Sequence, residues 1–199
     1  MLTKLFAARP DALRPSGVQP PRGLAMAGSA SAALACELLR APGALMQLTP
    51  DEAHTVVSYM LPMRIPAGNT FIHQGEQNAT DFMLLVLDGE VLVETVVVSR
   101  TEPVTVTVLG PGSLIGEMGL LDGAARSASC TASTALACAF LTRAALTELI
   151  QDAPQVGAKL MLAVAARLAQ RLRDTSDKLN RYATLIQAMQ QEIDQQQPS

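Results

Sequence analysis

The chain has 199 residues, of which 49% are apolar, with a mean hydropathy of +0.23; this suits one domain with a real core. Its formal net charge of −3 gives no global pull towards nucleic acid or an anionic membrane. No apolar run reaches the roughly 18 residues of a membrane span, because Asp81 and Asp88 bracket the most hydrophobic stretch. Cys36, Cys130 and Cys138 are odd in number and lack CxxC or metal-ligand spacing, so they read as core packing in a reduced, cytoplasmic compartment.

Residues 1–30 carry Lys4, Arg9, Arg14 and Arg22 against Asp11, while Pro10, Pro15, Pro20 and Pro21 break any long helix; this stretch reads as a disordered lead-in. The alanine- and leucine-rich run from Ser31 to Arg40 predicts a short helix. A second helix should start at Thr49-Pro50-Asp51-Glu52, where Thr49 caps, Pro50 suits the first turn and Glu52 completes a capping box. After Pro62 the period changes to alternation. Phe71 to His73, Phe82 to Leu87, Glu90 to Val98, Val104 to Leu109, Ser127 to Ala132 and Ala135 to Leu141 read as strands separated by glycine- and proline-bearing turns. Many short strands of this kind predict an α+β fold built on a β-roll or jelly-roll barrel.

Gly112 to Ala128 reads GSLIGEMGLLDGAARSA, with one acid and one arginine around a short glycine-punctuated turn. Gly116 allows close backbone approach, and Glu117 to Leu121 can form one helical turn whose N–H groups face an anion. A carboxylate accepts from a ribose hydroxyl while a guanidinium neutralises a phosphate, so Glu117 and Arg126 suit a sugar phosphate.

From about Pro154 to Ile193 the chain reads as one helix. Ala165, Leu172, Leu179, Ile186 and Ile193 repeat every seven residues, as do Met161, Leu168, Thr175, Tyr182 and Met189, which gives an a/d seam. Such a helix, about 60 Å long, exceeds one barrel and calls for a parallel coiled-coil homodimer, with packing back on its own barrel as the alternative for the first two turns. Thr175 and Ser176 are polar at the seam; a ligand would satisfy them, as would a carbonyl one turn back. Lys159, Arg167, Arg171, Arg173, Lys178 and Arg181 read as a solvated charged face, since no aromatic residues interleave as they would on a nucleic-acid surface.

The Gly112–Ala128 segment resembles the phosphate-binding cassette of the cyclic nucleotide-binding domain family, matching at Gly116, Glu117, Gly119, Leu120, Arg126, Ser127 and Ala128. Pro66-Ala67-Gly68, Phe71 to Glu76 and Asp88-Gly89-Glu90-Val91 extend the likeness, which runs from about residue 49 to about residue 182. It implies a ligand set of Gly116, Glu117, Met118, Arg126 and Ser127, with Val93 and Val106 against ribose and base, although each valine serves equally as core. Leu172 to Leu179 is similar to the dimer helix of catabolite activator-type regulators, which implies an adenine contact for Thr175 and Ser176. Ile115 and Met83 depart from the family, standing where aromatic residues are common.

The expected organisation is a cyclic nucleotide-binding domain with its N-terminal helices over 31–152, then a coiled-coil helix over 153–195 and a glutamine-rich tail. The resemblance implies a signal-transducing, cAMP-binding regulator, with cGMP or cyclic di-GMP sensing and a ligand-free scaffold as alternatives. Those regulators carry a winged helix-turn-helix after the dimer helix, and the stretch to Ser199 leaves no room for one. Output is therefore expected through an effector protein rather than DNA. Neither His54 nor His73 sits at catalytic spacing and no metal-ligand set is visible, so enzyme chemistry finds no support.

Overall fold

The computed structural model describes residues 30–41, 48–95 and 104–196, and for 104–106 and 193–196 the backbone alone. The expected lead-in therefore lies outside the described residues, as does the far end of the strand expected to reach Val98. Helix α1 (Ala30–Arg40) is followed by α2 (Pro50–Ser58), whose start is fixed by the expected capping box. The Thr49 amide donates to Glu52 Oε2 at 2.9 Å, and the Glu52 amide donates to Thr49 Oγ1 at 3.3 Å.

The strands are β1 (Leu61–Ile65), β2 (Thr70–Ile72), β3 (Phe82–Asp88), β4 (Val91–Thr95), β5 (Val104–Leu109), β6 (Leu114–Ile115), β7 (Ser129–Ala132) and β8 (Leu136–Thr142), with helix α3 (Glu117–Asp122) between β6 and β7. They form two antiparallel four-stranded sheets, in the orders β1-β8-β3-β6 and β2-β7-β4-β5. Alternation along β3 explains its unbroken apolar sequence. Leu84 and Val86 enter the barrel interior with Ile65, Phe71, Val91, Val93, Cys130 and Phe140, whereas Met83, Leu85 and Leu87 face the helices.

Helix α4 (Arg143–Asp152) is capped by Thr142, whose Oγ1 accepts from the Ala145 amide at 3.1 Å. Helix α5 (Pro154–Gln196) then runs for 43 residues, taking the glutamine-rich stretch into the helix as far as Gln196. Its early turns close the helical core: Leu160, Ala163 and Val164 are buried, and Met161 and Leu168 pack against them. Lys159 Nζ meets Glu52 Oε1 at 2.5 Å, and Tyr59 Oη donates to Asp152 Oδ2 at 2.9 Å, tying α2 to this corner. Beyond residue 168 every described side chain of α5 is exposed, and among them Leu172 and Leu179 are 69% and 63% exposed. The three cysteines are free and buried, as core packing requires.

Candidate functional site

The site is built where β6 turns into α3. Ile115 pairs with Leu84 and is buried; the next residue, Gly116, has φ +84°, and this left-handed turn starts α3 with Glu117 facing inwards. Glu117 is 2% exposed and Arg126 is 5% exposed, so the cassette's acid and its arginine are both withdrawn from solvent. Two charges are kept from water only where partners meet them.

Arg126 is met first by backbone. Its Nε donates to the Ala79 carbonyl at 3.0 Å, Nη1 to Gly116 O at 2.9 Å, and Nη2 to Ala79 O at 2.7 Å and Phe82 O at 3.1 Å. The guanidinium also lies over the Phe82 ring, 4.4 Å from its centroid, and Phe82 stacks on Phe140. Its own backbone is pinned to the turn after β2, with Gly75 N donating to Arg126 O at 2.8 Å and Arg126 N to Glu76 O at 3.0 Å. Burial lowers the pKa of the group from the ordinary arginine value, with Cys130, Glu76, Asp81 and Glu117 acting the other way. A guanidinium remains charged through such a shift.

The glycines of the cassette serve this arginine. A Cβ on Gly116 would stand 2.8 Å from Arg126 Nη1, and one on Gly119 would stand 2.9 Å from it. At Gly116, where the sequence led us to expect close approach of a ligand, the structure places the Arg126 guanidinium. Arg143 Nη2 donates to Gly119 O at 2.7 Å, holding α3 from the start of α4.

Glu117 is met by Arg171 of α5, whose Nη1 forms a short ion pair with Glu117 Oε1. This corrects the reading of Arg171 as part of a solvated face. The Arg171 side chain is 52% exposed, but its head closes the cassette. One turn on, Thr175 Oγ1 donates to Arg171 O at 2.8 Å, and Ser176 Oγ donates to Leu172 O at 3.0 Å. Both hydroxyls are exposed and bonded one turn back, as the register-setting alternative expects. The structure does not bring them to Glu117 and Arg126.

Val93 is buried in the barrel interior, opposite Cys130 on one side and Thr107 on the other. Val106 lies at the register shift between β4 and β5, and its side chain is outside the described residues. Met118 and Ser127 are exposed on the outer side of the cassette. The Cys130 thiol is pushed up to about 12 by burial, with Arg126 drawing it back down, so it is a neutral packing group beside the charges. His73 is exposed; His54 Nδ1 lies 3.3 Å from Cys36 Sγ, between α1 and α2. Among the described residues no three His, Cys, Asp or Glu side chains gather into a metal site, and no helix is long and apolar enough to cross a membrane.

A two-sheet barrel with a buried acid on a short helix and a buried arginine in the loop that follows it, overlaid by a long helix, has the groups to hold a small anionic ligand. Known proteins place it further. The cyclic nucleotide-binding domain family model matches residues 62–153. The CRP-like cAMP-activated global transcriptional regulator of Mycobacterium tuberculosis is 27% identical over 143 residues, which are 72% of this chain and 61% of that protein. The cyclic AMP receptor protein of Thermus thermophilus is 35% identical over 133 residues, 67% of this chain and 58% of that one. A crystal structure of a cyclic nucleotide-binding domain from Methylobacillus flagellatus superposes with a TM-score of 0.66 at 29% identity, covering 76% of this chain and 83% of the other. Over residues 62–153 the chain carries a cyclic nucleotide-binding domain. It is similar to CRP-type regulators and spans about three fifths of the length of the curated relatives just described.

Proposed function

We propose that this protein senses a cyclic mononucleotide, with cAMP as its ligand, and answers by rearranging a homodimer that meets an effector protein. One observation carries the reading: Glu117 and Arg126 are buried together in the cassette, and Arg171 fastens the acid to α5. In this reading Glu117 accepts from the ribose 2′-hydroxyl, Arg126 meets the phosphate with the amides around Gly116, Met118 and Ser127, and Val93 and Val106 line the sugar and base. The module is 31–152 and the transmitting element is α5. No catalytic group is assigned, in keeping with relatives named as a transcriptional regulator and a cyclic AMP receptor protein.

The choice of adenine rests on Thr175 and Ser176, which in a dimer would stand above the cassette and exchange their backbone bonds for the base. Calorimetry with cAMP, cGMP and cyclic di-GMP tests the ligand. Saturable binding of cAMP ahead of the other two is expected; cyclic di-GMP binding most tightly would overturn the mononucleotide reading, and silence from all three would leave a scaffold. Thr175→Val should lower cAMP affinity, and its margin over cGMP, by about tenfold. Unchanged discrimination removes the reason for choosing adenine. Electrophoretic mobility of duplex DNA at physiological salt should be unaffected by the chain, with or without cAMP, and a sequence-specific shift would overturn the protein-contact output.

A further inference from the structure

The Arg126 guanidinium is held along its plane and across it by different means. Along the plane, its nitrogens give four bonds to the carbonyls of Ala79, Gly116 and Phe82. Because hydrogen bonds tolerate tens of degrees of bend, such bonds fix the direction of the fork more firmly than its tilt. Across the plane lies the Phe82 ring, its centroid 4.4 Å from Arg126 Cζ. A cation this close to a ring face, in a site withdrawn from water, is held by the ring quadrupole.

Phe82 opens β3, and the two-residue period of the strand sets it on the interior face with Leu84 and Val86. In the pairing of β3 with β8, Phe82 stands opposite Thr142 and Leu84 opposite Phe140, so Phe140 is the diagonal neighbour of Phe82. Their rings stack with centroids 4.7 Å apart and planes 28° from parallel. Since Phe140 is buried, the Phe82 ring rests on a side chain fixed in the core. Phe82 thus meets Arg126 twice, through its carbonyl, which accepts from Nη2 at 3.1 Å, and through its ring.

The four bonds leave one of the five N–H groups of the guanidinium, and it belongs to Nη1. Nη1 is also the atom that faces both cassette glycines, since a Cβ at Gly116 or Gly119 would come within 2.9 Å of it. The tilt of the guanidinium therefore decides where this remaining donor meets an anion in the cassette.

We propose that Phe82 is a positioning residue of the nucleotide site: its ring sets the tilt of the Arg126 guanidinium and so aims the remaining Nη1 donor at one exocyclic oxygen of the cyclic phosphate. This rests on the cyclic nucleotide reading given above. The ring acts through Arg126, fixing the donor before the ligand arrives and so reducing the ordering that binding requires. Its role is separable from that of the carbonyl, because the backbone bond to Nη2 does not depend on the side chain at position 82.

The test uses the full chain, with calorimetry of cAMP and of the two diastereomers of its phosphorothioate, which differ only in the exocyclic oxygen replaced by sulfur. Wild type is compared with Phe82→Leu and Phe82→Met, which fill the space without a ring, and with Phe82→Tyr, which keeps the ring. Wild type should prefer one diastereomer. Both ringless variants should bind cAMP about fivefold more weakly and narrow the diastereomer preference by about the same factor, whereas Phe82→Tyr should match wild type in both. A packing role would weaken both diastereomers alike and leave their ratio unchanged, and that result overturns the proposal even where the fold is destabilised. A wild type that binds the two diastereomers equally, a ringless variant that matches wild type, or a Phe82→Tyr as impaired as Phe82→Leu also overturns it, while cAMP binding by wild type keeps the functional reading. A wild-type chain that binds neither cAMP, cGMP nor cyclic di-GMP overturns both.

Discussion

At the scale of single residues, Arg126 has two tasks that compete for one guanidinium. It is proposed to neutralise a phosphate, yet its fork already holds the carbonyls of Ala79, Gly116 and Phe82. Arg126→Leu should therefore abolish nucleotide binding and also destabilise the fold, by about 1–3 kcal/mol for each carbonyl that finds no water. Calorimetry reads the first effect and urea unfolding the second; wild-type affinity would remove Arg126 from the site, and wild-type stability would show that water replaces the fork. Glu117→Gln should lose less, because an amide oxygen still accepts from a hydroxyl and Arg171 is exposed enough to regain water. The Glu117–Arg126 pair was legible in the sequence because short-range spacing encodes it. Arg171 was not, since it meets Glu117 from 54 residues away and looks in sequence like any other cation on a charged helix.

At the scale of elements, local chemistry that is complete within a few residues was legible. The Thr49–Glu52 box set the start of α2, the double-sided apolar run of β3 marked a strand between two cores, and α3 began at the glycine expected to precede it. Strand β1 was not assigned because Pro62 reads as a break; it lies at a sheet edge, where a residue without an N–H is tolerated. Helix α4 was passed over, as it follows β8 with no loop and takes its cap from the last strand residue, Thr142. The seven-residue repeat of α5 proved divided in use, with Met161 and Leu168 serving the barrel while Leu172, Leu179, Tyr182, Ile186 and Met189 remain exposed. An exposed apolar stripe on a helix of about 65 Å fits a second copy of itself. Leu179→Asp, which would place a charge in that seam, should yield monomers by sedimentation at micromolar concentration, and a variant still dimeric would move the interface elsewhere.

At the scale of the whole molecule, one helix serves both the site and the proposed interface. Arg171 holds Glu117, and the next residue, Leu172, opens the exposed seam; no loop intervenes to absorb a shift of either. A ligand that rearranges Glu117 and Arg171 must therefore act on the helix whose other turns would pair in the proposed dimer. Coupling of this kind is reciprocal: the factor by which cAMP strengthens or weakens dimerisation equals the factor by which dimerisation changes cAMP affinity. Sedimentation equilibrium with and without saturating cAMP should show the dimer dissociation constant change by about fivefold or more, the lower end of ordinary allosteric coupling. The Leu179→Asp monomer should bind cAMP with an affinity altered by a matching factor. A dimer constant indifferent to cAMP, beside a monomer that binds as well as wild type, would mean that α5 covers the site without transmitting its occupancy, and the output would have to leave through the cassette's own exposed residues, Met118 and Leu121.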